Sequence, residues 1–138
     1  MRFMLLMIPG GYETAAPGTM PSAEQVAPMM AYNESLQKAG VLLSLEGLHP
    51  PSMGARISFA GGKTQLQQGP FPDVKNVLGG FWMMDVPSKD EAIAWALRCP
   101  ASANDVIEVR QVQELSDFPA EVQKAAAGFS GMQGKKPR

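Results

Sequence analysis

Two runs of this chain are apolar on both sides of an extended backbone. In residues 3–8, Phe3, Leu5 and Met7 alternate with Met4, Leu6 and Ile8. In residues 80–86, Phe81 and Met83 alternate with Trp82, Met84 and Val86. A strand with no polar side is covered on both faces. The other strand-like runs are one-sided. In residues 41–48, Val41, Leu43 and Leu45 share one face, and Leu42, Ser44, Glu46 and Leu48 the other. Ile57 and Phe59 oppose Arg56 and Ser58 in residues 55–60, and Gly61-Gly62 turns the chain so that residues 63–67 pair back as a polar edge. In residues 106–112, Ile107 and Val109 oppose Glu108 and Arg110.

Helix signals separate these strands. Ser22 followed by Gln25 has the spacing of a capping box. Pro28 lacks an N–H, so either a short first turn kinks there or the main helix starts with Pro28 in its first turn. Met29, Met30, Asn33 and Leu36 are expected on the inner face, and Gly40 at the C-terminal cap. Asn33, a polar residue on that face, reads as a tie to the backbone or as a ligand contact. Ser88 and Glu91 form a second capping box, opening a helix that ends before Pro100. Residues 73–78 fit one helical turn, and residues 118–127 a short last helix. The order predicts an α+β fold: a ferredoxin-like antiparallel sheet with two helices on one face. The other face of the two doubly apolar strands then needs cover. A second copy packed sheet to sheet supplies it, which predicts a homodimer.

Composition narrows the function classes. The chain has 138 residues, 45% hydrophobic and 18% charged, which suits one globular domain. Residues 1–115 are expected to form it, with a short helix and a mobile basic tail in 116–138. Twelve Lys+Arg against 13 Asp+Glu leave a net charge of -1, so no field of one sign supports nucleic-acid or anionic-membrane binding. The basic cluster Lys135-Lys136-Pro137-Arg138 is terminal and reads as solvated tail. The first eight residues are too few to span a bilayer and lack a signal-peptide layout, so a cytoplasmic location is expected. Cys99 stands alone, which excludes an internal disulfide and a multi-cysteine metal site; it reads as a small, buried apolar residue. No phosphate-loop, dinucleotide or metalloprotease motif is present, and no cofactor or metal is expected.

The candidate chemistry gathers at strand ends. His49 is the one histidine and closes the second strand; histidine ordinarily changes charge between pH 5 and 8. It serves either as an acid/base or as a loop residue. Glu46 alternates with leucines, so partial burial and an ion pair with Arg56 are expected. Asp73 and Lys75 follow the rigid Gly69-Pro70-Phe71-Pro72 segment, either as surface charge or facing a pocket; Phe71 reads as an anchor on the sheet. Glu108 and Arg110 either cross-pair with neighbours or line a cavity inside the dimer.

An ordered series of motifs then resembles a known family. It comprises Arg2-Phe3-Met4-Leu5-Leu6, Tyr32-Asn33-Glu34, Lys38-Ala39-Gly40-Val41-Leu42, Glu46-Gly47-Leu48, Gly69-Pro70-Phe71, Leu78-Gly79-Gly80-Phe81, Ala92-Ile93-Ala94-Trp95, Cys99-Pro100 and Ile107-Glu108-Val109-Arg110. Together they resemble the DGPF subgroup of the YCII-related proteins. The resemblance implies a dimeric α/β-barrel built from the ferredoxin-like sheet. Some wider relatives resemble small lyases that use a His-Asp pair, but no such motif carries over here. Gln68 stands where the subgroup has its name-giving Asp, and an amide does not exchange a proton near neutral pH. Two functions follow as expectations. One is a cofactor-independent lyase- or isomerase-like enzyme with His49 and Asp73 catalytic and Glu46, Arg56, Gln68 and Lys75 binding a small molecule. Its pocket would lie between the sheet and residues 69–78, near the dimer interface. The other is a non-catalytic ligand-binding or regulatory dimer.

Overall fold

The computed structural model describes residues 1–127. Six strands and three α-helices follow one another as β1 (Arg2–Ile8), α1 (Ala23–Lys38), β2 (Leu42–Gly47), β3 (Ala55–Ala60), β4 (Lys63–Gln68), β5 (Gly80–Asp85), α2 (Lys89–Leu97), β6 (Val106–Gln111) and α3 (Ala120–Ala125). The basic tail singled out in the sequence lies outside the described residues. Four strands form one antiparallel sheet in the order β2-β5-β1-β6. This is the strand arrangement of a ferredoxin-like α+β fold, with the two doubly apolar strands side by side at its centre.

The hairpin is the first departure from expectation. β3 and β4 pair only with each other, in a two-stranded sheet apart from the main one. Gly61-Gly62 makes the turn as expected, both residues at positive φ. Every residue of both strands is exposed, including Ile57, Phe59 and Leu66. The base of the hairpin is tight. The Gly69 N–H donates to the Gly54 carbonyl at 2.8 Å, and a Cβ at Gly69 would fall 1.7 Å from the Pro51 carbonyl oxygen. Only glycine fits so close an approach.

Alternation along β1 and β5 sets the core. Phe3, Leu5 and Met7 of β1 and Trp82 and Met84 of β5 are buried, and they meet Tyr32 and Leu36 of α1 and Ala92 of α2. Both helices therefore cover one face of the sheet. On the opposite face, Met4, Leu6 and Ile8 lie beside Phe81 and Met83, all half-buried. Exposed Ser44, Glu46, Glu108 and Arg110 frame this apolar centre on the outer strands.

β2 corrects the simple alternation. Leu42 pairs with Met84, but Ser44 pairs with Met83, so the register shifts at Leu43. The bulge puts Leu42 and Leu45 on the same, helix-facing side, where both pack on the core. It leaves Glu46 across from Phe81 and exposed, not partly buried as its leucine neighbours suggested.

Local chemistry accounts for the helix limits. The Ser22 hydroxyl accepts from the Gln25 N–H at 3.3 Å, and the Gln25 side chain accepts from the Ser22 N–H at 3.1 Å. The helix thus starts at the Ser22 cap, as the Ser22–Gln25 spacing predicts, and runs on through Pro28 rather than starting at it. The cap and the packing of the later turns outweigh the one backbone bond that Pro28 cannot donate. At the far end the Val41 N–H reaches the Leu36 carbonyl and the Gly40 N–H the Gln37 carbonyl, a Schellman closure. The inward face is Met29, Tyr32, Asn33 and Leu36, with Met30 exposed. Ser88 caps α2 by accepting from the Glu91 N–H at 3.2 Å, as its spacing predicts. Residues 73–78 form no helix; the Val74 N–H closes one turn on Phe71, and Asn76, at φ 59, breaks the run. α3 falls inside the expected range. Arg2 holds the chain beyond β6 through a paired contact, its Nη2 donating to Glu114 at 3.0 Å. That ion pair raises the Arg2 pKa.

One side chain joins sheet to helix. The Trp82 indole N–H donates to Asn33 Oδ1 at 2.7 Å, and its ring meets Tyr32 edge-on with centroids 5.7 Å apart. The Tyr32 hydroxyl donates to the Trp95 carbonyl on α2 at 2.8 Å. Asn33 is thus a tie to a side chain, not to the backbone. Asn33→Ala leaves the indole N–H of a buried Trp82 without its acceptor. We expect a loss of about 1–3 kcal/mol, read as a lower urea midpoint; an unchanged midpoint would count against this tie.

Candidate functional site

The ladders do not stop at the ends of β1, β2 and β5. The Gly79 N–H donates to the Met7 carbonyl at 2.8 Å, and the Leu48 N–H to the Gly79 carbonyl at 2.9 Å. These bonds hold the loop after β1, the end of β2 and the approach to β5 in one corner. Gly80 lets the corner close, since a Cβ there would lie 2.6 Å from the Glu46 carbonyl oxygen.

Two polar side chains pin the surrounding loops. The Tyr12 hydroxyl donates to the Leu48 carbonyl, next to His49. Burial pushes the Tyr12 pKa up, so it stays a donor. Asp105 uses both oxygens: Oδ1 accepts from the Gly10 N–H at 3.0 Å and Oδ2 from the Ser102 N–H at 2.9 Å. It ties the loop after β1 to the loop after α2.

Between these loops, the strand ends and the N-terminal half of α1 lies a cavity of about 750 Å³. Its apolar lining includes Met7, Met29, Leu45 and Trp82, together with the exposed Met20, Val26 and Met30. Its polar lining includes Tyr12, Gln25, Asn33, Glu46, His49 and Asp105.

Of the residues singled out in the sequence, His49 and Glu46 border this cavity at the end of β2, Glu46 with its side chain on the helix-free face, while Arg56, Gln68, Asp73 and Lys75 lie outside its lining. Arg56 stands on the separate hairpin, its guanidinium 4.9 Å from the centre of the Phe71 ring, and so makes no partner for Glu46 on the main sheet. Phe71 is buried beneath it, an anchor for the hairpin base. Gln68 is the exposed last residue of β4, paired with Ala55. Asp73 is exposed, and Lys75 lies 3.6 Å from Glu13. The pocket is thus displaced from residues 69–78 towards α1; only Gly79 and Gly80, just beyond that segment, line it. Glu108 and Arg110 pair with each other at 3.1 Å on β6. Among the described residues, no group of His, Cys, Asp and Glu side chains converges to hold a metal ion.

Tyr12, Asp105 and Trp82 were not among the sequence candidates. Tyr12 follows a Pro-Gly-Gly break and Asp105 lies three residues after Ser102, signals of a turn rather than of a site. Cys99 sits behind the cavity, half-buried, its sulphur 3.9 Å from that of Met29. Burial, assisted by the Asp105 charge, pushes its thiol up to about 11. The thiolate is the reactive form, so alkylation of native Cys99 by iodoacetamide should be slow at pH 8 and keep accelerating to about pH 11. In urea the rate should level off near the ordinary thiol value; a native profile levelling at the same pH would refute the burial account.

Two comparisons with known proteins bear on this chain. The family model described as YCII-related domain matches residues 1–116. An uncharacterized protein of Rhizobium meliloti (strain 1021) is 32% identical over 68 residues, 49% of this chain. The match spans 55% of that protein, so the chain covers about half the length of this curated relative.

Proposed function

The chain belongs to the YCII-related domain family, and we propose that it binds a small molecule in the cavity at the strand ends. The cavity carries this reading. Its volume lies within the range of about 300–1,000 Å³ usual for small-ligand sites, and its apolar floor with a few polar groups is the usual chemistry of such sites. The loops around it are held by Tyr12 and Asp105, so the site is formed without ligand.

A catalytic version has its own support. His49 lines the cavity, and among the described residues no hydrogen bond or ion pair engages its ring, which leaves it free to meet a ligand. In that version the protein is a cofactor-independent lyase or isomerase with His49 as acid/base. Asp73, Arg56, Gln68 and Lys75 take no part in it unless the 69–78 loop or a second copy approaches. We propose further that the chain falls in the DGPF subgroup, on the ordered series of motifs that includes Gly69-Pro70-Phe71. Gln68, outside the cavity lining, bears on the hairpin base rather than on this site.

The proposal includes a homodimer closed through the helix-free sheet face. Met4, Leu6, Ile8, Phe81 and Met83 make an apolar centre framed by polar edges, the anatomy of an interface. Leu6→Arg with Met83→Arg should convert a dimer to monomer in sedimentation at micromolar concentration, with circular dichroism unchanged; a clean wild-type monomer would refute the dimer.

The two versions of the site separate in one experiment. A metabolite screen by thermal shift should find compounds that raise the melting temperature, by about 2.7 kcal/mol of added stability at a hundredfold excess over Kd. His49→Gln should retain the shift. If the bound compound is also turned over, that variant should lose turnover by at least about a hundredfold. A screen without any stabilising compound would count against ligand binding.

A further inference from the structure

The fold uses one end of the Asn33 amide and leaves the other. An indole nitrogen donates and never accepts, so the 2.7 Å bond from Trp82 decides which end is which: Oδ1 faces the strand, and Nδ2 is the outer atom. That nitrogen is directed back along α1 to the Met30 thioether, 3.9 Å away and one turn nearer the N-terminus. A thioether is a weak acceptor. Among the described residues, no oxygen accepts from Nδ2. An oriented donor thus stands beside Trp82 without a strong partner.

This donor borders the cavity. Asn33, Met30 and Trp82 all belong to its lining, with Met29 on the same helix. The pairing register puts Trp82, its partner Leu45 and Met7 on the helix-covered side of the sheet. Met7 pairs with Gly80, and Gly80 with Gly47, so two side chains are missing from that side where the strands end. Met7, Leu45, Trp82 and Met29 give the space an apolar wall. The Asn33 amide is a polar group held against that wall.

Resting on the reading of this cavity as a ligand site, we propose that Asn33 donates through Nδ2 to a carbonyl oxygen of the ligand, whose apolar body lies on Met7, Leu45 and Trp82. A carbonyl fits because it only accepts. A hydroxyl would bring an O–H of its own, and the Asn33 oxygen that could receive it is already taken by the indole. A purely apolar ligand would shut the amide N–H groups off from water with nothing to bond. Asn33 is then a specificity-determining residue, and the bond that ties α1 to the sheet also aims its donor.

Three probes of matched shape test the proposal on the full chain: acetophenone, 1-phenylethanol and ethylbenzene. In titrations followed by nitrogen–proton correlation NMR, acetophenone should bind about tenfold tighter than either analogue. It should also move the side-chain amide signals of Asn33. Asn33→Asp keeps an oxygen for the indole but removes the donor. This variant should retain the Trp82 indole signal, weaken acetophenone by about tenfold and change ethylbenzene little. Met30→Gln, at an exposed position, leaves Asn33 in place and offers Nδ2 an oxygen of the chain's own. That oxygen competes with the ketone, so acetophenone should weaken several-fold while ethylbenzene does not. If either analogue matches acetophenone, or if Met30→Gln leaves the ketone's affinity unchanged, the assignment to Asn33 is wrong and the cavity remains a ligand site. If none of the three binds, the reading of the cavity itself fails, and the inference with it.

Discussion

The indole of Trp82 donates across the gap between sheet and helix to Asn33, and its ring rests edge-on against Tyr32. Tyr32 in turn donates to the Trp95 carbonyl on α2. Two adjacent residues of one helix thereby lock a central strand and the second helix. Burying an indole N–H and a phenol hydroxyl is costly unless each finds a partner, and here each partner lies on a different element. The arrangement leaves little freedom in how α1 lies on the sheet. Burial also raises the Tyr32 pKa, which keeps its hydroxyl a donor throughout the neutral range. The same tryptophan forms part of the cavity floor, so the packing of the core and the shape of the site share one side chain.

The sheet has one covered face and one that the helices do not reach. Strands β1 and β5 occupy the centre of the order β2-β5-β1-β6, where apolar residues on both sides meet the core on one side and each other on the other. The outer strands carry Ser44, Glu46, Glu108 and Arg110 on that second side. A polar frame around an apolar centre favours docking of a limited patch over open-ended association. The hairpin is a different kind of surface. It stands off the sheet, held at its base by Gly69 against the Pro51 carbonyl and by Phe71 beneath Arg56.

The candidate site lies where loops from three parts of the chain meet, and it owes its form to backbone contacts more than to side-chain ones. Gly79 and Gly80 allow β5 to start against Pro9 and the Glu46 carbonyl at distances that leave no room for a side chain. Tyr12 and Asp105 then tie the loops together through backbone carbonyl and N–H groups. His49 and Glu46 reach this corner because β2 ends there. Asp73 and Lys75, close to Gly79 in sequence, do not, because Asn76 turns the chain before it enters β5.

Periodicity and capping chemistry are local properties, and the sequence alone determined what depends on them. The strand centres, both helix starts, the Gly61-Gly62 turn, the doubly apolar strands and the position of His49 at a strand end were all legible. What depends on two distant segments meeting was not. The bulge at Leu43 reverses the facing of the residues before it, and alternation cannot reveal a register shift that the partner strand imposes. The hairpin stands apart from the main sheet although β2 and β6 are edge strands there, and its own alternation does not reveal that separation. Asn33 as the acceptor for Trp82, Asp105 as the tie to Gly10 and Arg2 as the partner of Glu114 span 49, 95 and 112 positions. No local pattern encodes such pairings, because each exists only once burial forces a polar group to find whatever partner the fold has brought within reach.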